Sequence, residues 1–322
     1  MICLGIESTA HTFGAGVADS KGNILSNVKD MHCPEKGGLH PREAFEHHVE
    51  VSDAVISEAV KRAGIRLSNI GRVAFSQGPG IPPCLRVGAV IARSISKKLN
   101  IPIVGVNHCV AHLEIAKLYG KMRNPAMLYV SGGNTQVIAY DSGKYRIFGE
   151  TIDIGIGNAI DKFGRFAGLL FPSGPAIEQL SKKGKTYLNL PYTVKGMDVS
   201  YGGMLTNLKQ KLNSGKCNLE DICYSFQETA FAMLVEVSER ALAHCGLNEL
   251  ILTGGVGANK RLAEMCRIMC RERGAKFYVP PTELCGDNGA MIAWNGILAE
   301  QSNDTHIKQK WRTDEVDVSW LK

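Results

Sequence analysis

The run Ala126-Met-Leu-Tyr-Val-Ser-Gly-Gly-Asn-Thr135, continued by Gln136 to Tyr140, decides the fold class. An apolar pentad, a glycine turn and a second apolar run make a strand, a tight turn and a strand; the turn Asp141-Ser-Gly-Lys144 then leads into a third strand, Tyr145 to Phe148. The same succession stands at the N-terminus. There Ile2-Cys-Leu-Gly-Ile6 is followed by the polar turn Glu7-Ser-Thr-Ala-His-Thr12, a strand Phe13 to Ala18, the turn Asp19-Ser-Lys-Gly22 and a strand Asn23 to Val28. An Asp-Ser pair opens the second turn in both copies. Two copies, each with helices of its own, imply two similar lobes rather than a solenoid.

Strands and helices alternate around the copies. Expected after the first are a helix His40 to Ala63, a strand Arg72 to Ser76, the turn Gln77-Gly-Pro-Gly80, a helix from about Leu85 to Leu99 and a strand Pro102 to Val106. The second copy is followed by a long amphipathic helix Ser225 to His244, a strand Glu249 to Thr253, the turn Gly254-Gly-Val-Gly257, a helix Asn259 to Arg273, a strand Lys276 to Val279 and a final helix from about Asn288. The class is α/β. An N-terminal lobe over residues 1–125, completed by the last helix at about 288–300, faces a C-terminal lobe over 126–287 across a cleft, and 301–322 form a C-terminal extension.

A glycine turn between strands presents successive backbone N–H groups with no Cβ in the way, which is a nest for phosphate. Ser131-Gly132-Gly133-Asn134-Thr135 alone also reads as an ordinary hairpin turn. Its repetition, and the second glycine turn Gly254-Gly255 before a helix, favour a nucleotide held between the lobes.

In Gly105-Val-Asn-His-Cys-Val-Ala-His-Leu-Glu114 a buried run gives way to a helical pattern, and His108 and His112 stand four positions apart. Such a pair lies on one helix face and can converge on a metal ion. Alone, it also fits two surface histidines.

Other bounds are broad. The chain has 322 residues, 44% hydrophobic and 21% charged, enough for two cooperating lobes. Ten cysteines without a C-x-x-C pair read as reduced residues rather than a disulfide framework. No basic leader opens the sequence and no apolar run approaches the ~20 residues of a membrane span, so a cytoplasmic protein off the membrane is expected. A net charge of +6 is compatible with an RNA partner without demonstrating one.

Duplicated strand-turn-strand lobes with phosphate turns resemble the actin, heat-shock ATPase and sugar-kinase superfamily, of ribonuclease H-like lobes. Within it the chain closely resembles the universal tRNA threonylcarbamoyladenosine transferases, the TsaD type, and in particular the catalytic subunit of the archaeal and eukaryotic KEOPS complex. The likeness covers nearly the whole length. It is carried by Gly38-Leu-His-Pro-Arg-Glu-Ala44, Gln77-Gly-Pro-Gly80 with Cys84-Leu-Arg-Val87, Asn107-His-Cys-Val-Ala-His112, Tyr129-Val-Ser-Gly-Gly-Asn-Thr135, Ala159-Ile-Asp-Lys162, Leu252-Thr-Gly-Gly-Val256 with Asn259, and Cys285-Gly-Asp-Asn-Gly-Ala290. Three places depart from the family pattern: Ser8, Ser173 and Ile81-Pro82.

The resemblance implies a metal, Fe2+ in this branch with zinc or magnesium as alternatives, held by His108, His112, Asp287 and Tyr129. It places the adenylate against Tyr129, Val130, Ser131, Gly132, Gly133, Asp161, Gly174, Glu178 and Asn259. From the residues alone, Asp287 reads as a helix cap, Asp161 as a partner of Lys162 or Arg165, and Glu178 as a solvated helix residue. The implied reaction transfers a threonylcarbamoyl group from threonylcarbamoyl-AMP to an adenosine beside the tRNA anticodon. No residue announces itself as the general base. Implied partners are tRNA and the KEOPS subunits: a small atypical kinase, a dimerising subunit and an accessory subunit. Because the chain ends at Lys322, soon after Trp320, no fused kinase domain is expected. Basic runs at Lys182-Lys-Gly-Lys185 and Lys117 to Arg123 are candidate RNA contacts, though such runs are commonly solvated faces. A metalloprotease and a kinase- or chaperone-like ATPase are the rival readings. The first lacks the glutamate after His108, where Cys109 stands, and the second finds no use for the histidine pair.

Overall fold

The computed structural model describes residues 1–34, 39–301 and 304–321. Gly38, the first residue of the Gly38 to Ala44 motif, and Lys322 lie outside the described residues.

Apolar runs broken by short turns fold into two five-stranded sheets. The first contains β1 (Ile2–Glu7), β2 (Thr12–Asp19), β3 (Ile24–Met31), β4 (Arg72–Gly78) and β5 (Ile103–Asn107) in the order β3-β2-β1-β4-β5. The second contains β6 (Ala126–Val130), β7 (Thr135–Asp141), β8 (Lys144–Glu150), β11 (Glu249–Thr253) and β12 (Lys276–Tyr278) in the order β12-β11-β6-β7-β8, with a small hairpin β9 (Val194–Lys195) and β10 (Asp198–Val199) between β8 and β11 in the chain. In each sheet three antiparallel strands are extended by two parallel ones. The two orders are the same topology, so the sequence repeat is a structural one. Strands antiparallel to their neighbours are joined by turns, and the parallel ones need helical crossovers.

Helices α1 (Pro41–Arg62), α2 (Pro82–Leu99) and α3 (His108–Gly120) belong to the first half; α4 (Ile156–Phe166), α5 (Gly174–Ser181), α6 (Gly202–Ser214), α7 (Leu219–Cys245), α8 (Lys260–Glu272), α9 (Thr282–Cys285) and α10 (Gly289–Leu298) follow. Expected boundaries differ most at α7. It begins at Leu219 rather than Ser225 because Asn218 accepts a hydrogen bond from the Asp221 amide at 2.7 Å, so the cap sits a turn and a half earlier than the apolar pattern shows. Likewise α2 starts at Pro82, a residue whose fixed φ suits a first helical position.

The last helix crosses back to the first sheet. A Cβ at Gly5 would stand 2.1 Å from the Ala293 nitrogen and one at Gly16 2.3 Å from that of Ala290, so backbone rests on backbone there. The second sheet builds its own core with α7, where Phe163 meets Phe226 edge-on at 5.3 Å beside buried Ile222, Phe231 and Leu234. Among the described residues no helix is long and apolar enough to cross a membrane.

Candidate metal and nucleotide site

Two segments distant in sequence meet where β5 ends. Asn107 closes that strand and caps α3, its Oδ1 accepting from the amides of Cys109 and Val110 at 2.9 and 3.1 Å. The capped first turn aims His108 and His112 inward, and both are buried at 6% and 0% exposure rather than lying on the surface. Asp287 comes from the far end of the chain. It is not the helix cap: Asn288 takes that role on α10, accepting from Met291 N at 2.9 Å, which leaves the Asp287 carboxylate free to face the rings. Its Oδ1 lies 3.5 Å from His108 Nε2 and 3.3 Å from His112 Nε2.

These separations fit an ion. Three donors on a tetrahedron with bonds of about 2.1 Å stand about 3.4 Å apart, and one atom from each residue lies within 4.8 Å of the others. Two imidazoles and a carboxylate form a borderline-hard donor set suited to a divalent transition metal. Two buried polar atoms beside them lack a hydrogen-bond partner, His112 Nδ1 and the Tyr129 hydroxyl. Tyr129 packs its ring 5.3 Å from that of His112. The donors present fit a metal.

Glu7 belongs to the same cluster and was invisible as a site residue from sequence. Fully buried at the end of β1, it accepts a hydrogen bond from His108 Nδ1–H at 2.9 Å with Oε2, while Oε1 accepts from the Thr9 amide and hydroxyl at 2.7 and 2.5 Å. The available signal was a carboxylate closing an otherwise apolar strand. Its effect is twofold: the tautomer is set so that Nε2 faces Asp287, and the proton affinity changes. Burial pulls His108 toward neutrality, but Glu7 and Asp287 outweigh it and hold its pKa at about 9. Burial opposes the charge on Asp287 too, yet the two imidazoles keep its carboxyl well below the usual range. On His112 burial prevails over the Asp287 hydrogen bond, and its pKa is lowered.

Tyr129 leads two residues on into the glycine turn. Ser131 closes it, its amide donating to Asn134 O at 2.8 Å and its hydroxyl accepting from Asn134 N at 3.1 Å, so Gly132 and Gly133 face solvent. The N-terminus of α4 docks beneath: the Gly157 and Asn158 amides donate to Ser131 O and Gly132 O at 3.0 and 2.9 Å. That approach requires glycine, since a Cβ at Gly157 would stand 2.5 Å from Ser131 O. Val130 is buried, and Gly254, at φ +92°, covers its carbonyl where a Cβ would come within 2.2 Å.

Ile156 and Ile160 of α4 then line a narrow, largely apolar hollow with Gly174, Ile177, Phe226, Gln227 and Asn259. Asn259 is more engaged than expected: Oδ1 caps α8, accepting from Arg261 N and Leu262 N, and Nδ2 donates to Gln227 at 3.1 Å. Asp161 pairs with neither Lys162 nor Arg165; it accepts from the Ser173 amide at 2.7 Å, and burial leaves its pKa raised. Glu178 is not solvated but half-buried, within 3.4 Å of Lys260 N and 3.8 Å of Lys182. The expected residues thus fall into two groups, the His108–His112–Asp287 cluster and the residues around the hollow, joined by the turn after Tyr129. Opposite the departures Ser8 and Ser173 stand glycines, Gly88 and Gly164, whose added Cβ would meet each serine oxygen at 2.2 and 2.1 Å.

Two five-stranded sheets of one topology, with a glycine turn after β6 and a His108–His112–Asp287 cluster whose donors could hold a metal ion, define the class of fold. Solved structures agree on the fold: HypF from T. kodakarensis matches 92% of this chain and 47% of its own at a TM-score of 0.62 and 15% identity, and component A of the Acidaminococcus fermentans 2-hydroxyglutaryl-CoA dehydratase matches 92% and 98% at 0.56 and 11%. The chain belongs to the TsaD family, tRNA N6-adenosine threonylcarbamoyltransferase, whose family model matches residues 21–294. A relative named tRNA N6-adenosine threonylcarbamoyltransferase in Thermococcus kodakarensis is 55% identical over 99% of this chain and all of its own. Another, named a probable bifunctional tRNA threonylcarbamoyladenosine biosynthesis protein in Methanothermobacter thermautotrophicus, is 52% identical over all of this chain and 61% of its own.

Proposed function

We propose that this chain is a tRNA N6-adenosine threonylcarbamoyltransferase that takes its acyl group from threonylcarbamoyl-AMP, modifies the adenosine beside the anticodon, and works in the cytoplasm as the catalytic subunit of a KEOPS-type complex. The observation that carries this is continuity: Tyr129, packed on His112, runs through Val130 into the Ser131 to Gly133 turn. An acyl group beside the His108–His112–Asp287 cluster and a phosphate in the turn would therefore be neighbours. The nucleoside end of the donor falls to Asp161, Gly174, Glu178 and Asn259.

In the reaction the adenosine N6 attacks the carbamoyl carbon, the bond from that carbon to the phosphate oxygen breaks, AMP leaves with the electron pair, and the N6 proton passes to water. Adenylate is a good leaving group, so positioning and charge stabilisation are the main demands on the protein. We assign iron to this site, where His108, His112, Asp287 and Tyr129 would hold it and it would supply Lewis-acid polarisation of a carbonyl. Glu7 accepts the hydrogen bond from His108 Nδ1–H, which turns Nε2 toward Asp287, and the exposed Gly132 and Gly133 turn receives the phosphate.

The protease reading loses on Cys109, whose thiol burial pushes up to about 11, so it supplies no base after His108. A longer relative named as bifunctional supports partners acting in the same pathway, for which we assign the small kinase, dimerising and accessory subunits. We place the lobe boundary at residue 125, with α10 completing the first lobe and 301–322 as an extension. The test is incubation with threonine, bicarbonate, ATP, the adenylate-forming enzyme, those subunits and tRNA. Modified adenosine should form with the native chain and not with H108A/H112A; no product from the native chain refutes the assignment.

A further inference from the structure

His11, on the turn between β1 and β2, meets Phe171 of the second lobe edge-on, with ring centroids 5.9 Å apart and planes at 83°. This aromatic contact bridges the two halves. Both rings are firmly presented. The His11 carbonyl accepts from the His32 amide at 2.8 Å, and the segment carrying Phe171 is laced to α4 by Leu169 N to Gly164 O at 2.8 Å and Ser173 N to Asp161 Oδ1 at 2.7 Å. Leu170, beside Phe171, is 75% exposed, an apolar side chain turned to solvent at the same spot. Thr9, two residues before His11, donates to Glu7 beside His108, and Ser173, two residues after Phe171, donates to Asp161, so the ring pair stands between the ion cluster and the residues assigned to the nucleoside.

A donor lying from the ion cluster through the glycine turn to the hollow occupies the second lobe's side of the cleft. The acceptor base has to reach the same carbonyl from another direction, and an adenine taken out of its stack needs a flat apolar partner. We propose that Phe171, with His11 opposite, is the platform that receives the acceptor adenine: the base displaces the edge contact, stacks on the Phe171 face and brings N6 toward the carbamoyl carbon. This rests on the adenosine-modifying reading above. Phe171 acts as a positioning residue for the acceptor and leaves the donor untouched.

The test uses the full chain with its partner subunits and a tRNA anticodon stem-loop carrying 2-aminopurine at the acceptor position for binding, or adenosine there for turnover. Stacking on Phe171 quenches the probe in the native protein. Phe171→Ala should lose the quench and raise KM for the RNA by roughly 10- to 100-fold, the worth of one base stacked on an aromatic ring, with KM for threonylcarbamoyl-AMP unchanged. Phe171→Trp should restore both. An unaltered quench and RNA KM in Phe171→Ala overturns the proposal, as does an equal rise in both KM values that Trp fails to rescue, and as does RNA that the native protein does not quench. Absence of modified adenosine with the native chain sinks the activity itself, an outcome separate from any difference between variants.

Discussion

Glu7 shows how much one residue can set. Its carboxylate, 2.9 Å from His108 Nδ1, both orients the ring and charges it. Glu7→Gln keeps an acceptor but removes the charge, so metal affinity should fall about 10- to 100-fold while the fold persists; competition against a chromophoric chelator, with circular dichroism as control, measures both. Unchanged affinity would remove Glu7 from the site. The proton on His108 makes a second prediction. Its folded-state pKa of about 9 lies above the ordinary 6.5, so in metal-free protein its contribution to stability is complete below about pH 6.5 and is lost as pH rises through about 9. Metal must displace that proton. Affinity should therefore climb about tenfold per pH unit and level off near pH 9, whereas a flat profile would show that His108 is no ligand.

At the scale of elements, α10 matters because Asp287 stands just ahead of its cap. The helix can approach β1 and β2 only through glycines, and Gly5 is the tightest contact, with a Cβ position 2.1 Å from the Ala293 nitrogen. Gly5→Ala should lower stability by about 3 kcal/mol in chemical denaturation and weaken metal binding with it, because the shifted helix carries Asp287 away from the imidazoles. Gly71→Ala, whose added carbon meets nothing nearer than 3.6 Å, is the neutral control. Equal stabilities of the two variants would mean that the helix yields without cost.

For the molecule as a whole, residues 304–321 form a strap across both halves. Gln77 donates to the carbonyls of Asp304 and His306 at 3.0 and 2.7 Å, Asn107 donates to Trp311 O at 3.1 Å, Arg312 pairs with Glu150 at 3.3 Å, and Trp320 donates to buried Glu114 at 2.9 Å. Because Asn107 also caps α3, the strap is tied to the helix that bears both histidines. Gln77→Ala removes both of its hydrogen bonds to the strap and should cost about 0.5 to 1.5 kcal/mol for each. Trypsin should then cut after Lys308, Lys310 or Arg312 faster than in the native chain; identical cleavage rates would show that the strap holds without Gln77.

Local pattern was enough for the α/β class, the duplicated strand-turn-strand lobes and the spacing of His108 and His112, since strand alternation, glycine turns and helical periodicity act over a few residues and are written in consecutive positions. It could not choose between a cap and a ligand for Asp287, nor between a solvated and an engaged Glu178 or Asp161. Those depend on which atoms approach from elsewhere. Glu7 became a partner of His108, Asn288 took the cap, and Ser173 N rather than Lys162 reached Asp161 only once distant segments were packed together. A charged side chain's role follows from its neighbours in space, and burial, which raises the stakes of every such pairing, is a property of the folded chain.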